Sequence, residues 1–271
     1  MKQRRTALYT FLFFGFAFLY GPILSLVIFS FNESRLVSVW AGFSTKWYGE
    51  LMHNDALLDA AWLSVKIASM NATLAVILGT LAALALVRLK DAKGRKSLAV
   101  MVTAPLVMPE IIIGLSLLLL FVAMEDLLGW PEGRGQLTIL IAHVTFSMAY
   151  VTVIAQSRLA HMDQSLEEAA MDLGARPLKV FFAITLPIIS PALVAGWLLA
   201  FTLSLDDLVI ASFVSGPGST TLPMVVYSSV RLGVSPQINA LATIVIGLVS
   251  AAVLIAGFVI YRQEKQLSKK S

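Results

Sequence analysis

The sequence predicts an all-α, polytopic membrane protein with six transmembrane helices, and three observations support this fold class. The 271 residues are 58% hydrophobic and only 13% charged, whereas soluble domains carry about 25% charged residues. The apolar residues form continuous runs of more than about 18 residues, which indicate membrane helices rather than the alternating strands of a barrel. Lys and Arg are concentrated in alternate segments between these runs. We therefore expect one transmembrane domain over residues 1–271.

Six apolar segments define the predicted helices. The first is longer than the apolar region of a cleaved signal peptide, so we interpret it as an uncleaved anchor. The second, fourth, fifth and sixth contain the uncharged stretches 67–87, 135–157, 180–205 and 232–261. The predicted spans are approximately residues 7–30, 62–87, 98–123, 136–157, 188–213 and 238–261.

The third segment differs from the others because a carboxylate lies near its middle. Glu110 directly follows Pro109, and Pro105 lies about one turn earlier. Proline removes a backbone donor and clashes with the preceding turn, so we expect this helix to be broken. Glu110 then either lines a pathway or accepts hydrogen bonds from the freed backbone donors.

The distribution of positive charge predicts the orientation. Of the 20 Lys and Arg residues, 15 lie in the N-terminal tail, in the segments after the second and fourth spans, and in the C-terminal tail. Only four lie in the opposite set of segments, which also contains Trp40, Trp47, Tyr48 and Trp130, aromatic residues that suit the headgroup boundary. Because positive residues are retained on the cytoplasmic side, both termini are predicted to be cytoplasmic.

The segment 158–187 is too polar for the membrane and is predicted to form a helix, a turn and a second helix. Asp163 or Ser165 can cap the first helix, Gly174 can end it with a positive φ, and Pro177 suits the first turn of the second. Leu166, Ala169, Ala170 and Leu173 form an apolar strip at helical spacing. Such a strip either docks into a groove or lies on the bilayer surface.

One spacing within this segment resembles a known motif. Glu168, Ala169 and Ala170 are followed after three residues by Gly174, and then after nine residues by Ile184, Leu186 and Pro187. This resembles the EAA loop of permease subunits from binding-protein-dependent ABC importers. The resemblance implies a type I ABC importer permease fold, in which residues 158–187 form a cytoplasmic coupling loop that docks on an ATP-hydrolysing subunit. The residues implied in coupling are Glu168, Ala169, Ala170, Asp172, Gly174, Leu186 and Pro187.

The chain itself lacks the motifs of a nucleotide-hydrolysing or metal enzyme. It contains no G-x-x-x-x-G-K-[ST] sequence and no cysteine, and His53, His143 and His161 are far apart in sequence. We therefore expect no catalytic residues, no metal site and no cofactor on this chain, with ATP and Mg²⁺ used by a partner ATPase. The few, dispersed charges also make nucleic acid an unlikely partner.

Three further stretches resemble the permease subunits of polyamine importers. They are VWAGFSTKWYGEL, TAPLVMPEIIIGLSLLLLF and WLLAFTLSLDDLVIASFVSGPGSTTLP. The similarity is greatest to the second permease of a putrescine system. It implies ATP-driven import of polyamines, putrescine first among them, by alternating access across a bacterial inner membrane. The implied partners are a homologous second permease, two ATP-binding subunits, a periplasmic polyamine-binding protein and membrane lipid.

Acidic residues in apolar surroundings are the candidate substrate pathway. Glu110, Asp206 and Asp207 lie within or beside predicted spans, where ionisable groups normally face a wet cavity. On a continuous helix Asp206 and Asp207 would point about 100° apart, so both cannot face one lumen squarely. Trp197 and Phe201 offer π faces to an ammonium group, although packing is the alternative that we favour.

The sequence leaves other functions open. The chain could belong to an ABC importer for another small cationic or polar solute. An ion-coupled carrier is a further alternative, although we find no internal repeat. An intramembrane enzyme would need Glu110 and Asp206 as a carboxylate pair, and no other residue supports that chemistry.

Overall fold

The computed structural model describes residues 2–36, 39–89, 91–232 and 235–267. These residues form helices joined by short turns, with a single isolated bridge between Asn32 and Phe43. The helices are α1 Lys2–Phe29, α2 Lys46–Leu51, α3 Asp55–Arg88, α4 Arg95–Thr103, α5 Glu110–Leu128, α6 Gln136–Ala160, α7 Ser165–Asp172, α8 Pro177–Val180, α9 Leu186–Leu205, α10 Val209–Val214, α11 Leu222–Leu232 and α12 Pro236–Leu267. The predicted all-α class is confirmed.

Five helical segments in the described part of the chain are long and apolar enough to cross a membrane. They are Tyr9–Phe29, Asp55–Arg88, Glu110–Leu128, Gln136–Ala160 and Pro177–Leu205. The sixth predicted span, 238–261, falls on α12. Within α12, the residues whose side chains are described include a shorter apolar stretch, Pro236–Ala251. Most side chains after residue 251 in the predicted span lie outside the described residues.

The predicted third span is two helices, not one. After α4 the chain makes a 3-10 turn over Ala104–Leu106, and Pro109 has the extended backbone angles φ −58° and ψ 136°. The predicted break is therefore confirmed, and the part of this segment that is long and apolar enough to cross a membrane is Glu110–Leu128. Glu110 becomes the first residue of α5, where the positive end of the helix dipole favours a carboxylate.

The predicted fifth span, 188–213, is also interrupted. The helix α9 ends at Leu205 and α10 begins at Val209, so Asp206, Asp207 and Leu208 lie between two helices. Sequence periodicity did not predict this break. Its physical cause is the Asp207 carboxylate, which competes for backbone N–H groups and is described below.

The chain divides into two structural units, residues 1–58 with 226–271 and residues 59–225. In the first unit, α12 packs against α1 and α2. Trp47 is buried there and its Nε1–H donates to the carbonyl of Asn32 over 2.6 Å. The prediction that Trp47 anchors at the headgroup boundary is therefore wrong, because its polar edge is occupied within the protein.

In the second unit, α6 is the central helix. It packs extensively against α9 and also contacts α4, α5 and α10. One apolar cluster joins Ile67 of α3, Phe121 of α5, Ile139 of α6 and Ile210 of α10. A second cluster joins α3, α6 and α9 through Ala83, Val87, Ala155, Leu159, Ile189 and Leu193. Together they place α9 and α10 against the same buried helix.

A close approach between α3 and α6 depends on a glycine. A Cβ atom at Gly79 would lie 2.9 Å from Cβ of Val151 and 3.1 Å from the carbonyl oxygen of Met148. Small residues of this kind allow membrane helices to approach closely. Val151 is fully buried and β-branched, so it has little room to move.

We predict that Gly79→Ala destabilises the protein. Overpacking should cost about 1–3 kcal/mol, which exceeds the gain of up to about 1 kcal/mol that Ala brings to a helix interior. The thermal unfolding midpoint of the detergent-solubilised protein measures the loss. The matched control is Gly247→Ala in α12, where a Cβ atom meets nothing within 4 Å. An equal midpoint for both variants would contradict the close approach.

Candidate functional site

The predicted coupling segment folds as expected. Asp163 Oδ1 accepts a hydrogen bond from the backbone N–H of Ser165 over 3.0 Å, and this bond lowers the pKa of the Asp163 carboxyl below its usual value. Gly174 has φ +83°, and its N–H donates to the carbonyl of Met171 over 2.8 Å. Pro177 starts α8. The helix α7 therefore begins and ends where capping residues predict.

The helix α7 presents its predicted contact residues to solvent. None of its residues is buried, Glu168 and Ala169 are exposed, and Ala170 is half-buried. Asp172 and Gly174 are exposed as well. A short helix with an exposed apolar strip can dock against another surface.

Leu186 and Pro187 lie in a different environment. Both are in the first turn of α9, and Leu186 packs against the buried cluster that contains Leu159 and Ile189. The structure therefore separates these two residues from the exposed face of α7. Their position suits attachment of the loop to the membrane helices.

A carboxylate that the sequence analysis did not single out joins α7 to the membrane helices. Glu167 Oε2 lies 2.6 Å from Nη2 of Arg88, the last residue of α3. Its other carboxylate oxygen accepts a hydrogen bond from the hydroxyl of Thr185. The only sequence signal was the adjacent pair of acids, and the motif assigned the contact role to Glu168.

Asp207 is held within the protein. Its side chain is only 6% exposed. Oδ1 accepts from the backbone N–H of Ile210 over 3.3 Å, and Oδ2 accepts from that of Ala211 over 2.8 Å. These donors belong to the first turn of α10, so Asp207 satisfies N–H groups that a helix start leaves unpaired. It therefore acts as a structural carboxylate at the break.

His143 completes this arrangement. The His143 side chain is buried, and both of its ring nitrogens have partners. Nε2 lies 3.1 Å from Asp207 Oδ2, and Nδ1 lies 2.7 Å from Ser204 Oγ. Because a carboxylate only accepts, Nε2–H donates to Asp207, while Nδ1 shares a hydrogen bond with the Ser204 hydroxyl. Sequence analysis gave His143 no catalytic role and did not identify its partners. An ionisable residue within an apolar span was the signal that a partner existed.

Asp206 and Glu110 are exposed, in contrast to Asp207. The three carboxylates lie at two neighbouring helix breaks, because α5, which begins at Glu110, packs against α10, which begins just after Asp206 and Asp207. Among the described residues, neither Glu110 nor Asp206 forms an ion pair with Lys or Arg. Such a cluster attracts a cation that can replace its hydration with carboxylate oxygens.

Trp197 and Phe201 pack rather than line an open surface. Their rings stack with centroids 5.3 Å apart and an interplanar angle of 11°. Trp197 Nε1–H donates to Thr73 Oγ1 over 3.2 Å, and both rings pack against the cluster of Ala72, Ala75, Val151 and Ala200. These contacts support the packing alternative.

The described residues contain no group of three or more His, Asp or Glu side chains placed to hold a metal ion.

Residues 75–269 match the model of a family described as the inner membrane component of binding-protein-dependent transport systems. The chain belongs to this family. It is 64% identical to the putrescine transport system permease protein PotI of Escherichia coli (strain K12), over 94% of this chain and 91% of the relative. It is 43% identical to the spermidine/putrescine transport system permease protein PotC of the same organism, over 92% of this chain and 91% of the relative.

Solved structures show the same fold. A bacterial ABC transporter involved in the import of the acidic polysaccharide alginate aligns with a TM-score of 0.71 and 18% identity, over 96% of this chain and 98% of that chain. The inward-facing MetNI methionine ABC transporter aligns with a TM-score of 0.59 and 16% identity, over 76% and 94%. The predicted type I ABC importer permease fold is confirmed.

Family membership defines the general role of the chain. It is a multi-pass transport subunit and not an enzyme, since ATP hydrolysis in these importers belongs to a separate subunit. Members of the family work with a partner permease, an ATPase and a substrate-binding protein.

We predict that Gly174→Ala impairs coupling. A Cβ atom at φ +83° costs about 1–2 kcal/mol, so the turn after α7 should relax and shift the helix. Substrate-stimulated ATP hydrolysis of the assembled transporter, at matched amounts of complex, measures the effect. Gly174→Asn is the control, because Asn tolerates this conformation better. Full activity of the Ala variant would contradict the requirement for positive φ.

We also predict that Asp207→Ala destabilises the protein more than Asp206→Ala. The first change leaves two backbone N–H groups and the buried His143 without their acceptor, at about 1–3 kcal/mol for each buried unsatisfied group. The second removes an exposed carboxylate. Thermal unfolding midpoints compare the two variants, and Asp207→Asn should fall between them because Asn still caps a helix. Equal losses would contradict the structural role of Asp207.

Proposed function

We propose that this chain is a permease subunit of an ATP-driven importer that moves polyamines, putrescine first among them, into the cytoplasm. The observation that carries the proposal is the cluster of Glu110, Asp206 and Asp207 at two helix breaks, with two of the three carboxylates exposed. The names of the relatives PotI and PotC point to the same class of substrate. A di-cationic amine is complementary to this cluster in charge.

The physical chemistry of the cluster favours a small organic cation. An ammonium group that leaves water needs acceptor oxygens in exchange, and carboxylates supply them while repelling anions. Helix breaks support this role because irregular backbone in a membrane is tolerated where it lines a cavity. Such breaks lie at the end of α9 and at the start of α5.

The two aspartates have separate roles in this proposal. Asp207 is occupied by His143 and by the first turn of α10, so its oxygens are committed within the protein. Asp206 is exposed and lies at the C-terminal end of α9. Asp206 with Glu110 therefore contacts the passing cation, and Asp207 holds the break that positions Asp206.

Transport follows alternating access. The helix α7 and the turn after it dock on a partner ATPase that uses ATP and Mg²⁺, through Glu168, Ala169, Ala170, Asp172 and Gly174. Leu186 and Pro187 attach this loop to α9. Closure of two ATPase subunits then moves the helix bundle, so that a periplasmic polyamine-binding protein releases its cargo to the acidic cluster. This chain binds no cofactor itself.

The proposed assembly lies in a bacterial inner membrane, with this chain and a homologous second permease forming the pathway. Six spans with both termini in the cytoplasm are consistent with the distribution of Lys and Arg. In this orientation α7 faces the cytoplasm, where ATP is available.

We predict that Asp206→Asn lowers putrescine uptake by more than about tenfold, since removing one charge partner of a desolvated cation costs upwards of 1.4 kcal/mol. Uptake of labelled putrescine into proteoliposomes that contain the complete transporter, its binding protein and ATP measures the effect. Labelled spermidine, measured in parallel, determines which polyamine the system prefers.

The matched control is Asp126→Asn, which neutralises an exposed carboxylate in the last turn of α5. It should transport like the wild type. A wild-type complex that assembles but takes up neither amine would overturn the polyamine assignment and leave the family assignment intact. Normal uptake by Asp206→Asn would remove Asp206 from the pathway.

A further inference from the structure

The contact between Arg88, Glu167 and Thr185 joins three elements that are far apart in sequence. Arg88 ends α3, Glu167 lies in α7, and Thr185 ends a π-helical turn over Phe181–Thr185 that leads into α9. Glu167 uses one carboxylate oxygen for Arg88, at 2.6 Å, and the other for the Thr185 hydroxyl. We call these three residues the cytoplasmic clamp.

The clamp is better shielded than the rest of α7. The side chains of Arg88 and Glu167 are 25% and 15% exposed, and Thr185 is 2% exposed. Glu168 is exposed although it is the next residue. Successive residues on a helix point about 100° apart, so α7 directs one glutamate towards the membrane helices and the other towards solvent.

Apolar packing alone does not hold α7 in place. None of its residues is buried, and a cavity of about 500 Å³ lies beside it, lined by residues that include Leu84, Met171 and Phe181. Arg88, Glu167 and Thr185 lie on the wall of this cavity. The clamp is therefore the polar attachment of α7 to the ends of α3 and α9.

The two helices that the clamp reaches lead to the acidic cluster. The helix α9 has 20 residues and ends next to Asp206. Each residue adds about 1.5 Å along the helix axis. The helix α3 carries Ile67, which packs in the same cluster as Ile113 of α5 and Ile210 of α10. A packed helix moves as a rigid element, so a displacement at one end reaches the other. The π turn beside Thr185 is a type of irregularity that is frequent at functional sites.

We propose that Glu167 is a positioning residue that transmits movement of α7 to α3 and α9 through Arg88 and Thr185, an inference that rests on the proposed coupling role of α7. Glu168 contacts the ATPase, and Glu167 contacts the permease's own helices. Loss of the Glu167 charge therefore uncouples ATP hydrolysis from transport, with α7 still able to dock.

The test measures uptake and ATP hydrolysis together in proteoliposomes that contain the complete transporter, its binding protein and putrescine. The readout is putrescine taken up per ATP hydrolysed, at matched amounts of assembled complex. A merely structural role would reduce the number of complexes and lower both rates equally. Glu167→Gln and Arg88→Gln should each lower the ratio by about fivefold or more, the lower range of coupling between distant sites.

The double variant Arg88→Gln with Glu167→Gln identifies the pair. If the two residues act through each other, the double variant is no worse than either single variant, whereas independent effects would multiply. Multiplying effects would overturn the pairwise clamp. Thr185→Val removes one hydroxyl while keeping the size of the side chain, so it should lower the ratio even if Glu167→Gln fails to assemble.

Two control variants, Asp91→Asn and Lys96→Gln, neutralise exposed charges that follow Arg88 along the chain. Both should match the wild type. A wild-type complex that hydrolyses ATP but takes up no putrescine would contradict the proposed function and not the clamp. If the wild type transports, and Glu167→Gln and Thr185→Val take up as much putrescine per ATP hydrolysed as the wild type does, the clamp is overturned.

Discussion

The hydrogen-bonded group of Asp207, His143 and Ser204 is the interaction on which the candidate site depends. A carboxylate in an apolar surrounding must find donors, and Asp207 finds them in the His143 ring and in the first turn of α10. Because Asp207 accepts hydrogen bonds from backbone N–H groups, the helix is interrupted between Leu205 and Val209. Asp206 is exposed because the break exists. The same group ties the break to α6, the most buried helix of its unit, so the position of Asp206 is set by packing.

The acidic cluster follows from two breaks with different causes. At the start of α5 the cause is local, because two prolines prevent a continuous helix and leave Glu110 at a helix N-terminus. At the end of α9 the cause is partly tertiary, because Asp207 accepts from the turn that follows it and also from His143 of α6. The two breaks are neighbours because α5 and α10 pack together.

The end of the membrane helices that carries α7 is organised by the same principle of paired polar groups. Glu167 forms an ion pair with Arg88 and accepts a hydrogen bond from Thr185, whereas its neighbour Glu168 stays exposed. One of the two adjacent acids thus attaches α7 to the ends of α3 and α9, and the other is exposed. Since the ion pair is partly exposed, its net contribution to folding stability is modest, and its position between α7, α3 and α9 is its more important property.

The sequence by itself determined the membrane class, most helices, the ends of α7 and the break before Glu110, because each depends on local composition or on Gly, Pro and capping residues. The motif from Glu168 to Pro187 also indicated the family. Only the tertiary structure decided that Asp207 is bound and Asp206 is exposed, that His143 and Ser204 are its neighbours, that Trp47 is buried and that Glu167 anchors α7. These features depend on pairs separated by tens of residues, such as His143 with Asp207 and Arg88 with Glu167. Helical periodicity assigns each residue to a face of its own helix, but the partner of that face is determined by how the helices pack.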